Sequence, residues 1–364
     1  MRKVNMILTT CAACAAPLAH DAPRCVRCKT RYCNSTCQHD HWRRGHKQIC
    51  KKIHRGGNAE QYYTDQKYRE AVAVAVEACA DDTNGQTCYI CLEAVHPRTR
   101  EGLVRGCACG DRDGVSSPEL GVAHVSCLAA QAKILLDEVE ENNLDNNAKN
   151  ARWVRWHTCG MCEQNYHGGV VCALGWACWK TYVGRPEGDT FRIIAMSRLG
   201  GALSEAQLHA DALHVHEADL AVRRRLGASE ESMLVVLGNL AVSYSMLGRD
   251  EDALRLRRDV HAGTLKLLGG EHESSLIDAN NLANVLIDLE RFEEAKSLMR
   301  KTIPVARRVL GESNDIVLMM RLNYANTRST WTTAPRLTIS ARPCRRSRTR
   351  NGSRGACSVA RIHW

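Results

Sequence analysis

The sequence predicts a modular fold class: two small cysteine-braced domains followed by an all-α array of helical repeats. Three observations predict it. Seventeen of the 19 cysteines in the 364-residue chain precede residue 180. They fall mostly in close pairs, one set over residues 11–50 and a second over 88–162, each with a histidine among them. From about residue 191 the cysteines stop, helix formers take over and a 42-residue period begins.

Composition narrows the chemistry of the cysteines. Apolar residues make up 44% of the chain, enough for ordinary cores, so disulfides are not needed to compensate for a missing one. Secreted scaffolds and intracellular metal modules are both rich in cysteine. The opening "MRKVNMILTTCAACAAPLA" has the basic start and short apolar run of a secretory leader, but Asn5, Thr9 and Thr10 interrupt it, and Cys11 and Cys14 would be lost with it. Histidines interleaved with Cys-x-x-Cys pairs favour metal in a reducing compartment, so a cytoplasmic or nuclear location is expected. No run approaches 18 apolar residues and no membrane span is expected.

The formal net charge of +10 is uneven. Residues 1–56 carry twelve Lys/Arg against two Asp, and residues 327–364 carry nine Arg and no acid. Such ends could meet nucleic acid or acidic partners, or simply be solvated. Nucleic acid is not the expected partner, because the basic residues sit largely among the cysteines and aromatic stacking platforms are few.

The first set reads Cys11-x2-Cys14, Cys25-x2-Cys28, Cys33-x3-Cys37 and His46-x3-Cys50. Eight ligands are what two tetrahedral zinc ions require, and close pairs let a tight turn put two donors on one ion. Binding then closes loops that so small a module could not hold by apolar packing. "YCNSTCQHDHWRRGHKQIC" resembles the MYND-type zinc finger over residues 11–50. The resemblance implies interleaved sites: Cys11, Cys14, Cys33 and Cys37 on one zinc, and Cys25, Cys28, His46 and Cys50 on the other. It also implies a non-catalytic module that binds protein segments. Trp42 is expected over the metal core, with His39 and His41 left as surface or supporting residues.

The second set reads Cys88-x2-Cys91, Cys107-x-Cys109, His124-x2-Cys127 and Cys159-x2-Cys162, again eight ligands. "CYICLE", "GCACG", "AHVSCL" and "RWHTCGMC" resemble the RING-CH variant of the RING finger over about residues 87–168. In that family the pairs alternate, which implies Cys88, Cys91, His124 and Cys127 on one zinc and Cys107, Cys109, Cys159 and Cys162 on the other, four zinc ions in all. The resemblance also implies docking of a ubiquitin-conjugating enzyme on an apolar patch. By position that patch is Ile90 and Trp156, which could equally be ordinary module core. No residue is expected to act as a covalent catalyst, since such fingers work by positioning. Three departures stand out: the 31-residue gap after Cys127, no proline between Cys159 and Cys162, and Glu163 where many RINGs carry a basic residue. Cys79 and the stretch "NYHGGVVCALGWACWK" are read as structural, with Trp176 and Trp179 as apolar anchors.

The repeats show in "NLAVSYSMLGRDEDALRLRR" from Asn239, "NLANVLIDLERFEEAKSLMR" from Asn281 and "LNYANTR" at Asn323, with Gly227, Gly269 and Gly311 recurring at 42 residues. Neither helix of a unit can bury its apolar stripe alone, so stacking must do it. The pattern resembles the tetratricopeptide repeats of kinesin light chains, which implies a concave peptide-binding groove. Asn239, Asn281 and Asn323 either face that groove or hold helix turns.

The expected division is therefore a MYND-like finger (1–56), a linker or short helix (57–86), a RING-CH-like finger with an extension (87–185), tetratricopeptide-like repeats (191–326) and a basic tail of low order (327–364). The expected function is a RING-type ubiquitin ligase or ligase-like adaptor that selects protein or peptide ligands through the finger and the repeat groove. The alternative is a non-catalytic zinc-binding interaction scaffold.

Overall fold

A computed structural model describes residues 11–14, 16, 18, 22–107, 109 and 121–327, together with the two short segments 338–339 and 362–363. Those two segments pair as antiparallel strands; the expected low order of the basic tail otherwise lies outside the described residues. The chain forms two compact units, Met1–Leu247 and Gly248–Trp364.

In the first unit, α1 (Ser35–His41), a widened turn over Trp42–His46 and α2 (Lys47–Arg55) complete the first cysteine set. The chain bends between the two helices at Gly45, whose φ is +123°. Next comes α3 (Ala59–Ala78), a 20-residue helix in the segment expected to be a linker or short helix. Its start is fixed by a capping box: the Asn58 side chain accepts from the Gln61 N–H (3.0 Å), and the Gln61 side chain accepts from the Asn58 N–H (3.1 Å). Tyr63, Tyr68, Val72 and Ala75 then form a buried stripe.

After the short α4 (Ala80–Thr83), β1 (Val104–Arg105) pairs antiparallel with β2 (Val122–Ala123), in the register Val104 to Ala123. The long gap of the second cysteine set holds α5 (Val125–Glu141) and α6 (Asn146–Trp153), separated by a turn at Asn143, where φ is +47°. Glu101 ties this region together. One carboxylate oxygen accepts from the Ser126 N–H in the first turn of α5 (2.6 Å), and the other from the Tyr68 hydroxyl on α3 (3.2 Å).

Helix α7 (Gly168–Tyr182) is apolar nearly all round and is buried accordingly, against α3, α5 and α8 (Thr190–Glu205). Trp176 and Trp179 anchor it, as the sequence suggests, with Cys172 and Cys178 as small buried side chains. Helices α9 (His209–Arg225) and α10 (Glu230–Met246) follow as the start of the repeat array. One apolar core runs from Tyr68 on α3, through the second cysteine set, to Val222 on α9. The core is continuous across residues 185–191, and the two compact units divide at Leu247 and Gly248.

The second unit stacks α11 (Asp250–Leu268), α12 (Glu273–Asp288), α13 (Phe292–Leu310) and α14 (Asp315–Asn326) around Leu276, Ala279, Ala283, Met299, Ala306, Val317 and Met320. The turn between α12 and α13 uses Glu290 at φ +58°, at the repeat position where Gly248 stands at φ +71°. No helix among the described residues is long and apolar enough to cross a membrane.

Candidate metal centres

Three of the Cys-x-x-Cys pairs are built on the same local turn. In each, the first cysteine's N–H reaches the carbonyl of the residue five positions on, and its own carbonyl accepts from the N–H four positions on. Cys25 does so with Thr30 and Lys29, Cys88 with Glu93 and Leu92, and Cys159 with Gln164 and Glu163. The residue after the second cysteine is left-handed in all three: Lys29 at φ +61°, Leu92 at +63° and Glu163 at +59°. The turn aims backbone N–H groups at sulfur, as with Ile90 N to Cys88 Sγ and Met161 N to Cys159 Sγ, both 3.4 Å. That places partial positive charge where a thiolate must sit.

Helices supply the other donors. The Asn34 side chain caps α1 by accepting from the Cys37 N–H (2.9 Å) and so fixes Cys37 in the first turn. His46 and Cys50 lie four apart, on one helical face. His124 directly precedes α5 and Cys127 lies in its first turn. Cys107 and Cys109 follow β1.

The sixteen ligand residues expected from the sequence gather in four groups of four: Cys11, Cys14, Cys33, Cys37; Cys25, Cys28, His46, Cys50; Cys88, Cys91, His124, Cys127; and Cys107, Cys109, Cys159, Cys162. Within each group the donor atoms lie within 4.8 Å of one another. Cys14 and Cys33 sulfurs are 3.3 Å apart, Cys25 and Cys50 3.7 Å, and Cys109 and Cys159 3.4 Å. Histidine nitrogens stand at similar range: His46 Nε2 is 3.3 Å from Cys28 Sγ, and His124 Nδ1 is 3.3 Å from Cys91 Sγ. A disulfide would hold sulfurs at about 2.05 Å. A tetrahedral zinc with arms of about 2.3 Å sets its sulfurs about 3.8 Å apart, which is the spacing these groups approach.

The protonation chemistry suits a cation. Burial raises the Cys11 thiol, but N–H groups of Cys14, Cys33 and Ala13 outweigh it and bring it down to about 6. The Cys107 thiol, bonded to Cys159, brings Cys159 down to about 4, whereas Cys109 is pushed up to about 12, by burial first. Each cluster crowds three or four thiols that cannot all ionise together unless a divalent charge sits among them. Burial, then the neighbouring His41, holds His46 down to about 4, so its imidazole is neutral, the form that ligates.

Supporting residues surround the ligands. Tyr32 is fully buried, and its hydroxyl pairs with His41 Nδ1 at 3.0 Å. The His41 ring stacks on His46 with centroids 4.8 Å apart, a role open from the sequence only as "surface or supporting". Trp42 meets the His46 ring edge-on at 5.9 Å and keeps 37% of its surface exposed; His39 is exposed. Gly121 sits against the fourth group, where a Cβ would fall 2.8 Å from Cys107 Sγ and 3.2 Å from Cys109 Sγ. Cys79 donates to the Arg105 carbonyl at 3.4 Å, outside all four groups.

The two expected docking residues part company. Ile90 is 37% exposed, beside the exposed Leu92 and Val95. Trp156 is fully buried, edge-on to Tyr182 and tilted against Trp153, and so offers no surface to a partner. Of the three repeat asparagines, Asn323 spends its amide on Asn280 Oδ1 (2.8 Å), a bond from α14 back to α12.

Residues 11–50 match the MYND finger family, and residues 234–274 and 279–315 match the tetratricopeptide repeat family. The chain carries a MYND-type finger and tetratricopeptide-like repeats. Ubiquitin carboxyl-terminal hydrolase 17 of Arabidopsis thaliana is 45% identical over 53 residues, 14% of this chain and 7% of that protein. Ubiquitin C-terminal hydrolase 15 of Oryza sativa subsp. japonica is 51% identical over 43 residues, 12% and 4% respectively. The chain thus spans less than a tenth of the length of these curated relatives. Among solved structures, nearly identical TPR-like repeats from Podosopora anserina align at 20% identity and a TM-score of 0.38, covering 56% of this chain and 86% of that one. BtubC from P. vanneervenii aligns at 12% identity and a TM-score of 0.40, covering 61% and 99%.

Proposed function

We propose that this protein is a non-catalytic, zinc-dependent interaction scaffold, with two zinc ions in each of two fingers and protein ligands taken up by the MYND-type finger and the repeats. The observation that carries this reading is that each cluster supplies four protein donors. A zinc so held is closed, with no position left for a water or substrate, and acts by fixing the fold. Its compartment on this reading is the cytoplasm or nucleus, where thiols stay reduced.

A second reading is a RING-type ubiquitin ligase. What favours it is the alternation in the second cysteine set: the first pair groups with the third, and the second with the fourth. Such a ligase would dock a charged ubiquitin-conjugating enzyme on the apolar surface that includes Ile90, and would accelerate transfer by holding the thioester in a reactive pose. The burial of Trp156 removes half of the docking pair expected from the sequence.

One assay separates the two. The full, zinc-loaded chain is mixed with a panel of ubiquitin-charged conjugating enzymes and free lysine, and discharge is timed. The scaffold reading expects no acceleration with any of them. Acceleration of tenfold or more, lost in Ile90→Ala with the zinc content unchanged, would replace it with the ligase.

A further inference from the structure

The four clusters hold the same number of donors but differ in their access to solvent. Among the described cysteines, Cys14 alone is exposed, and Cys33, Cys37 and Cys91 are half-buried. Three of these four thiols belong to the first cluster, where only Cys11 is buried. In the second and fourth clusters every donor is buried, and in the third only Cys91 is not.

Distance alone does not single out a pair. Cys14 and Cys33 sulfurs are 3.3 Å apart and Cys109 and Cys159 sulfurs 3.4 Å. Either pair would reach a bonded length by closing about 1.3 Å. Oxidation of cysteine follows thiolate character and exposure. Metal ligation supplies thiolates in every cluster, so exposure separates them, and it selects Cys14.

The neighbouring chain favours Cys33 as the second sulfur. Cys33 directly precedes the Asn34 cap of α1, whereas Cys37 is fixed inside the first turn by that cap and lies farther from Cys14, at 3.8 Å. The segment that carries Cys14 closes on itself through the Cys11 N–H and the Ala16 carbonyl (2.8 Å). It reaches the rest of the finger through the Ala12 N–H on the Arg31 carbonyl (3.2 Å), two residues before Cys33.

We propose that Cys14 and Cys33 form a peroxide-sensitive disulfide that empties the first cluster while the other three keep their zinc. The Cys14 thiolate attacks one oxygen of the peroxide, the O–O bond breaks, and the departing hydroxide takes a proton and becomes water. Cys14 is then a sulfenic acid. The Cys33 thiolate attacks that sulfur, the S–O bond breaks, and the second hydroxide leaves as water with a second proton. Two thiolates have given two electrons to one peroxide. The cluster keeps only Cys11 and Cys37, too few for a closed tetrahedral site, and the ion is released with its charge unchanged. A transient bond of this kind is what a reducing compartment allows. Because the bond holds Cys14 beside Cys33, a thiol reductant restores the donor set. This deepens the scaffold reading by giving its first finger a means of regulation, and rests on that reading for the zinc.

The test uses the full, zinc-loaded chain, counted for zinc by native mass spectrometry and then treated with hydrogen peroxide. One zinc per chain is expected to leave at least tenfold faster than the others. Fragmentation of proteolytic peptides should show Cys14 joined to Cys33, and dithiothreitol with added zinc should return the starting count. Cys14→His keeps a zinc donor but removes the attacking thiol, and should slow the first release at least tenfold. If that variant does not hold its zinc, the bridge found in the parent chain decides. Release at one rate from all clusters would overturn the proposal. So would a bridge between any other pair, oxidation of Cys14 beyond sulfenic acid without a bridge, or a first release as fast in zinc-loaded Cys14→His as in the parent. Fewer than four zinc ions before any peroxide is added would fail the zinc assignment of the scaffold reading, and this proposal with it. Four zinc ions released in the wrong pattern would fail this proposal alone.

Discussion

Gly121 carries more of the fourth cluster than its lack of a side chain suggests. Its φ of +84° already disfavours any L side chain, and a Cβ there would fall 2.8 Å from both Cys107 Sγ and Cys109 Cβ. The backbone cost alone is about 1–2 kcal/mol; the collision with two ligands adds displacement of the donor set. Gly85 is the matched control, at φ +72° with nothing within 4 Å. Gly121→Ala is expected to hold about one zinc fewer than the parent chain when both are equilibrated with a competing chelator. Gly85→Ala should show only the backbone cost and keep its zinc. Equal zinc content in Gly121→Ala and the parent would mean that the fourth cluster is not a metal centre shaped by this glycine.

At the scale of elements, how much could be read from the sequence follows how local the cause is. The cysteine pairs were legible because pair spacing alone brings two donors together, and the sixteen candidate donors gather in the groups that family resemblance implies. The left-handed Lys29, Leu92 and Glu163 were not, because the turn's backbone bonds impose that conformation on residues whose own preference is against it. Helix α3 was legible only as a linker or short helix, for a different reason. "AVAVAVEA" alternates small and branched residues and shows no helical period, leaving Val72 buried but Val74 60% exposed. The helix signal lies in the Asn58 and Gln61 cap and in aromatic residues that matter only once α7 packs on them. Glu101 was illegible because its partners, Tyr68 and Ser126, are 33 and 25 residues away. The cap gives a direct check. Asn58→Ala removes the acceptor for the Gln61 N–H and should cost about 1 kcal/mol. Asn58→Ser and Asn58→Asp should restore most of it. The measurement is the denaturation midpoint, and an unchanged midpoint in Asn58→Ala would mean that packing on α7, not the cap, sets where α3 begins.

For the whole molecule, the decisive feature is that the second cysteine set shares one apolar core with α3 and with helices α7 to α9. Six of its cysteines, including Cys107, Cys127 and Cys159, belong to the same buried cluster as Leu199, Ala212 and Val222. Metal binding there is folding free energy for the first helices of the repeat array as well as for the finger. The second unit has a separate core around Leu276, Met299 and Met320, and none of the sixteen candidate ligands lies in it. Zinc removal should therefore divide the protein along the boundary at Gly248 rather than at the edge of the fingers. Titration with a mercurial reagent should release about four zinc per chain. Hydrogen exchange on the stripped protein should then show protection lost from α3, α5, α7, α8 and α9 together, and kept in α12 and α13. Protection kept in α8 and α9 after the zinc has gone would show that those helices belong energetically with the repeats that follow them. The shared core would then be a matter of contact without thermodynamic coupling.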